Sequence, residues 1–166
     1  MKSLRHFMLV WTGVLLVFYT LALLLIPSFL DYLKSFCPPD LHYGVKNVVG
    51  GSVLAGLCEE PLFRGFAVLV LAKHWQGAFR IGRFRLSHVS LLSGFIFMTA
   101  HVGFSIVPHF EITHVDALQL TYTFVLGVVW TTVFEKTKSL LAPVASHIWA
   151  NFIQYAFGYV AVYMLM

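Results

Sequence analysis

Long apolar runs alternate with short polar segments along the whole chain. A helix needs about 20 apolar residues to cross the hydrocarbon core of a bilayer, and five runs come close to this length or exceed it. They predict five membrane-spanning helices, at residues 7–30, 47–72, 88–107, 117–134 and 140–166. The expected fold is therefore an all-α membrane bundle, in which residues 1–166 form a single domain.

The composition agrees with a membrane protein. Of the 166 residues, 59% are apolar, 16% aromatic and only 11% charged. A soluble domain has nearer a quarter of charged residues and a disordered chain has few aromatic ones, so both classes are excluded. The net charge is +4, but in a membrane protein such an excess sets the topology and attracts anionic lipid. We therefore expect the lipid bilayer, and no nucleic acid, as a partner.

The charges of the predicted loops set the orientation of the bundle. Loop 31–46 is balanced, loop 73–87 has four Lys or Arg residues and no acid, and loop 108–116 has two acids and no Lys or Arg. Because positively charged loops stay in the cytoplasm, the N-terminus is predicted to be cytoplasmic. Trp75 and Phe79 lie among the bases of loop 73–87, which is typical either of a stretch in the headgroup layer or of a solvated basic loop.

The second predicted span carries three charged residues, Glu59, Glu60 and Arg64. Each ionised group near the bilayer centre costs roughly 3 kcal/mol on insertion scales, so packing alone does not explain them. Glu60 and Arg64 are spaced i, i+4, as in an ion pair that neutralises itself. This ion pair does not account for Glu59. Because an ionisable residue within a span indicates a functional site, Glu59 is a candidate functional residue.

Two further spans carry polar residues at a comparable depth. His101 is in the third span, and His147 and Asn151 share one face of the fifth because they are spaced i, i+4. At a rise of 1.5 Å per residue, Glu59 and His101 lie about 20 Å from their cytoplasmic helix ends. His147 and Asn151 lie about 10 and 16 Å from theirs. We therefore expect these groups to meet in one cavity.

Such a cavity has the groups that amide hydrolysis requires. A carboxylate and a neutral imidazole can hold a water molecule between them, and the carboxylate takes its proton. A second histidine and an amide can donate hydrogen bonds to an oxyanion. An alternative use of the same residues is a zinc site, formed by Glu59 or Glu60 with His101 and His147.

Three motifs, in order and each in its own span, resemble those of the CAAX protease and bacteriocin-processing (CPBP, or Abi) family of intramembrane endopeptidases, which is related to the CAAX prenyl endopeptidases. Residues 59–64 are similar to its EExxxR signature, residues 97–101 to its FxxxH element and residues 147–151 to its HxxxN element. The resemblance covers residues 47–160, which would form the catalytic core. The first span and loop, residues 1–46, lie outside it.

This resemblance implies a glutamate-type enzyme that uses no metal cofactor. One pair of residues would activate the water, a second would form the oxyanion side of the site, and a third would support it. These pairs are, in turn, Glu59 with His101, His147 with Asn151, and Glu60 with Arg64. The implied substrate is a membrane-anchored protein or peptide, and the implied location is a bacterial or archaeal plasma membrane.

Three other interpretations use the same polar core. A non-catalytic immunity or interaction protein would keep the motifs and act only by binding. An ion or proton transporter also places Glu and His near the midplane, although it would usually have repeated or broken helices. A haem-binding protein would use His88 and His101, which are 13 residues apart, but facing partners for both are missing from the pattern.

Overall fold

The computed structural model describes residues 2–38, 40–82 and 84–165. Most of these residues are helical, which confirms the all-α membrane bundle. The α-helices are α1 (Lys2–Leu25), α2 (Phe29–Phe36), α3 (Leu41–Asn47), α4 (Ala55–Glu60), α5 (Val68–His74), α6 (His88–Thr99), α7 (Ala117–Thr137) and α8 (Leu141–Leu165). Two segments are π-helical, Val48–Leu54 and Pro61–Ala67. The strands are β1 (Ala78–Ile81), β2 (Phe84–Ser87), β3 (Gly103–Ser105) and β4 (Glu111–His114).

The chain divides into two compact units. The first consists of Met1–Cys58 and Val144–Met166, and the second of Glu59–Pro143. The first unit therefore contains α1, α2, α3 and most of α8. The second contains α6, α7 and both β-hairpins. The single domain over residues 1–166 and the catalytic core at 47–160 stay predictions.

Three helices are long and apolar enough to cross a membrane, Arg5–Leu25, Ala117–Thr137 and Leu141–Leu165. They correspond to the first, fourth and fifth predicted spans. Helix α1 ends at Leu25, earlier than the apolar run that predicted it. The reason is Pro27, which has no N–H to continue the helix and restricts the residue before it.

The second predicted span, 47–72, lies in a longer helical run. This run begins at Leu41 and reaches His74 through α3, α4, α5 and the two π segments. The predicted loop at 31–46 is therefore wrong, since α2 and α3 occupy most of it. Asp40 begins α3, because its carboxylate accepts a hydrogen bond from the backbone N–H three residues later at 3.2 Å, as an N-cap does.

The third predicted span, 88–107, is wrong as a complete span. Helix α6 has only 12 residues, or about 18 Å at 1.5 Å per residue, whereas the hydrocarbon core is about 30 Å thick. After α6 the chain forms an antiparallel hairpin of β3 and β4. Pro108 and the β-branched residues before it favour an extended backbone, so this apolar stretch forms a hairpin instead of further helical turns.

The predicted basic loop at 73–87 also contains a hairpin. Strands β1 and β2 pair in antiparallel fashion, with Arg80 directly opposite Arg85. Gly82, in the turn, has a φ of +59°, which residues with a side chain rarely adopt. The loop is thus a regular structure, and its place in the headgroup layer stays a prediction.

In the second unit, α6 packs closely against α7 through small residues. A Cβ atom added to Gly127 would lie 2.8 Å from the Cα atom of Gly94, so only glycine fits there. Nearby, Thr131 Oγ1 donates a hydrogen bond to Ser93 Oγ at 3.0 Å. Small residues of this kind let membrane helices approach each other. The contact fixes which face of α7 is turned toward α6.

Candidate active site

The EExxxR residues lie where an α-helix changes to a π-helix. Glu59 and Glu60 are the last residues of α4, and Pro61 opens the second π segment. Proline has no N–H to donate to the preceding turn. At the far end of the segment, the Val68 N–H donates to the Phe63 carbonyl, five residues back. Such π turns are frequent at functional sites, which agrees with the position of the motif.

Glu60 and Arg64 form the ion pair that their spacing predicts. Both side chains are fully buried, and Arg64 Nε lies 3.2 Å from Glu60 Oε2. A terminal nitrogen of the guanidinium donates a hydrogen bond to the Gly127 carbonyl at 3.2 Å. Burying a charge without a partner is costly, and the opposite charge offsets much of that cost. The pair therefore holds both side chains in place inside the second unit.

Aromatic rings surround the buried arginine. Its Cζ atom lies 4.6 Å from the centre of the Phe97 ring, 5.5 Å from that of Trp130 and 5.8 Å from that of Phe63. At such distances the rings attract the guanidinium. The sequence motifs include Phe97 but not Gly127 or Trp130. Both of these residues come from another helix, so no motif spacing connects them with Arg64.

Glu59 differs from its neighbour Glu60. Its side chain is partly exposed, but its Oε2 atom is buried and has no hydrogen-bond partner among the described residues. Leaving a buried acceptor unmet costs about 1–3 kcal/mol, and more for a charged group. This oxygen is therefore suited to accept a hydrogen bond from water or from a substrate.

His101 lies beyond the end of α6, which corrects its predicted place within a span helix. Its Nδ1 atom is 2.7 Å from the Phe97 carbonyl oxygen, four residues back. Because a carbonyl can only accept, Nδ1 carries the proton, and Nε2 of the neutral ring carries the lone pair. The backbone thus fixes the tautomer that water activation requires.

The third motif lies on α8, in the first unit. His147 is only 3% exposed, and Nδ2 of Asn151 donates a hydrogen bond to the Gly51 carbonyl at 2.7 Å. Gly51 lies in the first π segment, where the Ala55 N–H donates to the carbonyls three and five residues back. In an α-helix the Gly51 carbonyl would receive that bond. The Ala55 N–H thus bypasses the Gly51 carbonyl, and this carbonyl accepts from Asn151.

The predicted site residues fall into two sets, four in the second unit and two in the first. They are Glu59, Glu60, Arg64 and His101, and then His147 and Asn151. Across the described ranges, no group of three His, Cys, Asp or Glu side chains is arranged to hold a metal ion. The zinc ligands suggested by the sequence stay a prediction.

A charged pair, a second carboxylate and a histidine oriented by a backbone carbonyl, all within an apolar helical unit, are typical of a membrane-embedded enzyme that moves protons. The family model described as Type II CAAX prenyl endopeptidase Rce1-like matches residues 42–153. The chain therefore belongs to this family, which confirms the resemblance of its three motifs. Comparison with curated proteins and with solved structures gives no match. The protein is thus an integral membrane protease of the CAAX type, and its substrate is a peptide.

Proposed function

We propose that the protein is a glutamate-type intramembrane endopeptidase, in which Glu59 and His101 activate the attacking water. One observation carries this proposal. The Glu60 carboxylate is held in a buried salt bridge by Arg64 at 3.2 Å, whereas the buried Oε2 atom of Glu59 has no hydrogen-bond donor among the described residues. Of the two adjacent carboxylates, Glu59 is therefore the one available to bind a water molecule and take its proton.

In this mechanism the water lies between two acceptors. Glu59 takes one proton, His101 Nε2 accepts a hydrogen bond from the other, and the water oxygen bonds to the peptide carbonyl carbon. The carbonyl oxygen becomes an oxyanion. When this intermediate collapses, the C–N bond breaks and Glu59 passes its proton to the leaving amine. The products are a carboxylic acid and an amine, which exchange a proton to give a carboxylate and an ammonium group, and Glu59 is ionised again.

The oxyanion side of the reaction is assigned to His147 and Asn151. This part of the proposal is supported by the HxxxN motif and by its order after the other two motifs. Preorganised donors act where negative charge develops, and removing one such donor from a well-studied serine protease costs about 3–4 kcal/mol. Asn151 has a second amide hydrogen besides the one on Gly51, so its contact in the first unit is compatible with this role.

The proposed substrate is a membrane-anchored protein or peptide, and the proposed location is a bacterial or archaeal plasma membrane. The family description names prenyl endopeptidases, which supports a lipid-modified peptide as a first probe. A peptide anchored by an apolar helix is the second probe. Cleavage of either by the reconstituted protein would establish which kind of anchor the enzyme accepts.

The test is the Glu59→Gln variant, purified in detergent and assayed on a farnesylated CAAX peptide and on the helix-anchored peptide. The amide has nearly the same shape but does not take a proton from water. Loss of a general base lowers turnover by about 10²- to 10⁴-fold, and the melting temperature should stay close to that of the parent protein.

The matched control is Asp31→Asn, which makes the same change from carboxylate to amide at an exposed position, 79% accessible. It should leave turnover and melting temperature unchanged. Turnover of Glu59→Gln within a few-fold of the parent would remove Glu59 from the role of general base. A parent protein that cleaves neither peptide, yet binds both, would favour the non-catalytic interaction protein.

A further inference from the structure

The hairpin of β3 and β4 begins two residues after His101. It is a two-stranded sheet, so in the described part of the chain each strand is paired along one edge only. Its register shifts between Gly103 and Phe104, as in a β-bulge, and bulges are over-represented beside active sites. The outer edge of β3 therefore carries backbone N–H and C=O groups that the sheet does not pair.

The contact between α6 and α7 indicates the depth of this hairpin. Gly94 of α6 packs on Gly127 of α7, and α6 ends at Thr99. Helix α7 begins at Ala117, ten residues before Gly127, which corresponds to about 15 Å along the helix axis. The hairpin thus covers a depth that the first turns of the membrane-spanning α7 also cover.

The hairpin also carries exposed polar side chains, with His109 73% and Glu111 66% accessible, so its unpaired backbone lies where water can reach it. Within the hydrocarbon region, open sheet edges facing lipid do not occur, and irregular backbone is tolerated where it lines a water-filled cavity or meets another protein segment. A hydrolase requires water at its reacting bond. The edge of β3, two residues after His101, therefore offers unpaired backbone groups to water and to a peptide.

The side chains of the hairpin are suited to an apolar peptide. Phe104 stacks on Phe110, with ring centres 6.2 Å apart. Large apolar side chains on and around the hairpin are exposed, namely Phe104, Ile106, Val107, Phe110, Ile112 and Val115. An extended peptide that pairs with an exposed strand gains affinity from backbone hydrogen bonds and selectivity from its alternate side chains.

We infer that the outer edge of β3 pairs with the extended backbone of the peptide substrate and so presents the scissile bond beside His101. The inference rests on the proposed function, since it takes His101 as part of the water-activating pair. Of the two strands of the hairpin, β3 is the docking strand because it directly follows His101. The inference also predicts a substrate that is extended, and apolar at alternate positions, near the bond that is cut.

The first test is disulfide cross-linking, which reports binding without cleavage. Phe104→Cys is made in a Cys58→Ala background, because Cys58 is exposed. Cys37 is left in place, because it is buried and its burial raises the pKa of the thiol to about 12, which suppresses thiol exchange. The probe is the farnesylated CAAX peptide, with one additional cysteine moved along its sequence.

Strand addition predicts high cross-linking yields at every second peptide position, because successive side chains of a strand point to opposite faces. The matched control is Phe95→Cys on α6, where the parent side chain is 53% exposed, compared with 60% for Phe104. It should give low yields without alternation. Equal yields at the two sites, or yields from Phe104→Cys that do not alternate, would overturn the inference.

The second test blocks single backbone N–H groups of the peptide by N-methylation. Methylation at alternate residues should raise KM by about tenfold, the effect of losing one good hydrogen bond, with little change in kcat, and the residues between them should tolerate it. Alternation in cross-linking together with full activity of Glu59→Gln would retain the docking strand and reject the proposed base. If Glu59→Gln loses activity but neither cross-linking nor N-methylation alternates along the peptide, Glu59 stays the proposed base and the docking strand is rejected.

Discussion

The two motif regions bury polar side chains in different ways. In the second unit, Glu60 and Arg64 are charged and fully buried, and aromatic rings surround the guanidinium. In the first unit, Asn151 is neutral and partly exposed, and its amide donates to the carbonyl of Gly51. A π segment adjoins both regions. The buried charge of Arg64 is thus matched by an opposite charge and by ring contacts, whereas the neutral amide of Asn151 is matched by one backbone carbonyl.

The two arrangements should respond differently to substitution. Removing one member of a buried ion pair costs about 3–5 kcal/mol, because the other charge is left without compensation. Removing one neutral hydrogen bond costs about 0.5–1.5 kcal/mol. Substitutions in the buried pair of the second unit should therefore lower stability strongly. Substitutions in the first unit should lower it less, so their effect on turnover can show whether the polar groups serve the reaction or only the packing.

The largest effect is expected for Arg64→Met. The substitution keeps an unbranched side chain of similar length but leaves the Glu60 carboxylate buried without its partner, so stability should fall by about 3–5 kcal/mol. The measurement is the melting temperature of the purified protein in detergent. Most of the protein should be lost to aggregation at temperatures that the parent withstands.

The control for this prediction is Arg80→Met, which removes the same charge from an exposed strand. Substitutions at such surface positions usually change stability by no more than about 0.5 kcal/mol. Equal losses of stability at Arg64 and Arg80 would mean that the buried pair contributes no more than a surface charge. A second variant, Glu60→Gln combined with Arg64→Met, should recover part of the loss because no charge is then left unpaired.

The sequence predicts those parts of the site that helix geometry alone determines. The pairing of Glu60 with Arg64 follows from their i, i+4 spacing. Gly127 and Trp130 do not follow from any spacing, because they come from another helix. Which face of α7 meets Arg64 is decided by the contact of Gly127 with Gly94, and such a contact has no local signature in the sequence.

Membrane spans can be predicted from the sequence only where hydropathy alone identifies them. Helices α1, α7 and α8 are long and apolar, so hydropathy identifies them. The run at 88–107 is equally apolar, but hydropathy does not distinguish a complete span from a short helix followed by a hairpin. The π turns were not predicted either, since they depend on how one helix packs against others. They change which carbonyl a backbone N–H bonds to, as at Ala55.

Asn151→Ala tests what the amide of the first unit does. If it donates to the oxyanion, turnover should fall by about two to three decades with KM little changed, because that bond strengthens only in the transition state. If it only holds α8 to Gly51, the melting temperature should fall while turnover at low temperature stays near normal. Measuring both quantities on one variant separates the two roles, and a destabilised but fully active protein would remove Asn151 from the site.

Gly51→Ala tests how closely α8 packs on the first π segment. A Cβ atom at Gly51 would overlap the hydroxyl of Tyr155, whereas a Cβ atom at Gly50 meets nothing within 4 Å. Overpacking of this kind costs about 1–3 kcal/mol, while Gly50→Ala should be neutral or stabilise the helix by about 0.5–1 kcal/mol. Melting temperatures of the two variants provide the measurement. A milder effect at Gly51 than at Gly50 would mean that the close approach of α8 contributes nothing.

The smallest effect is expected from a strong chelator. If Glu59 and His101 activate water without a metal, prolonged chelation followed by dialysis should leave turnover within about twofold of the untreated enzyme. The alternative zinc ligands, Glu59 or Glu60 with His101 and His147, would lose their ion and the enzyme its activity, and added zinc would restore it.

Chelation distinguishes water activation from zinc binding, because the geometry of His101 is suited to both. A histidine that binds zinc usually donates its other ring N–H to a carbonyl or carboxylate, and the bond from Nδ1 to the Phe97 carbonyl has this form. A histidine that helps to activate water needs the same tautomer, with the lone pair on Nε2. The ring is therefore oriented alike in both cases, and only the response to metal removal differs. Retained turnover would assign the Nε2 lone pair to water, whereas loss of turnover with recovery on zinc would assign it to the metal.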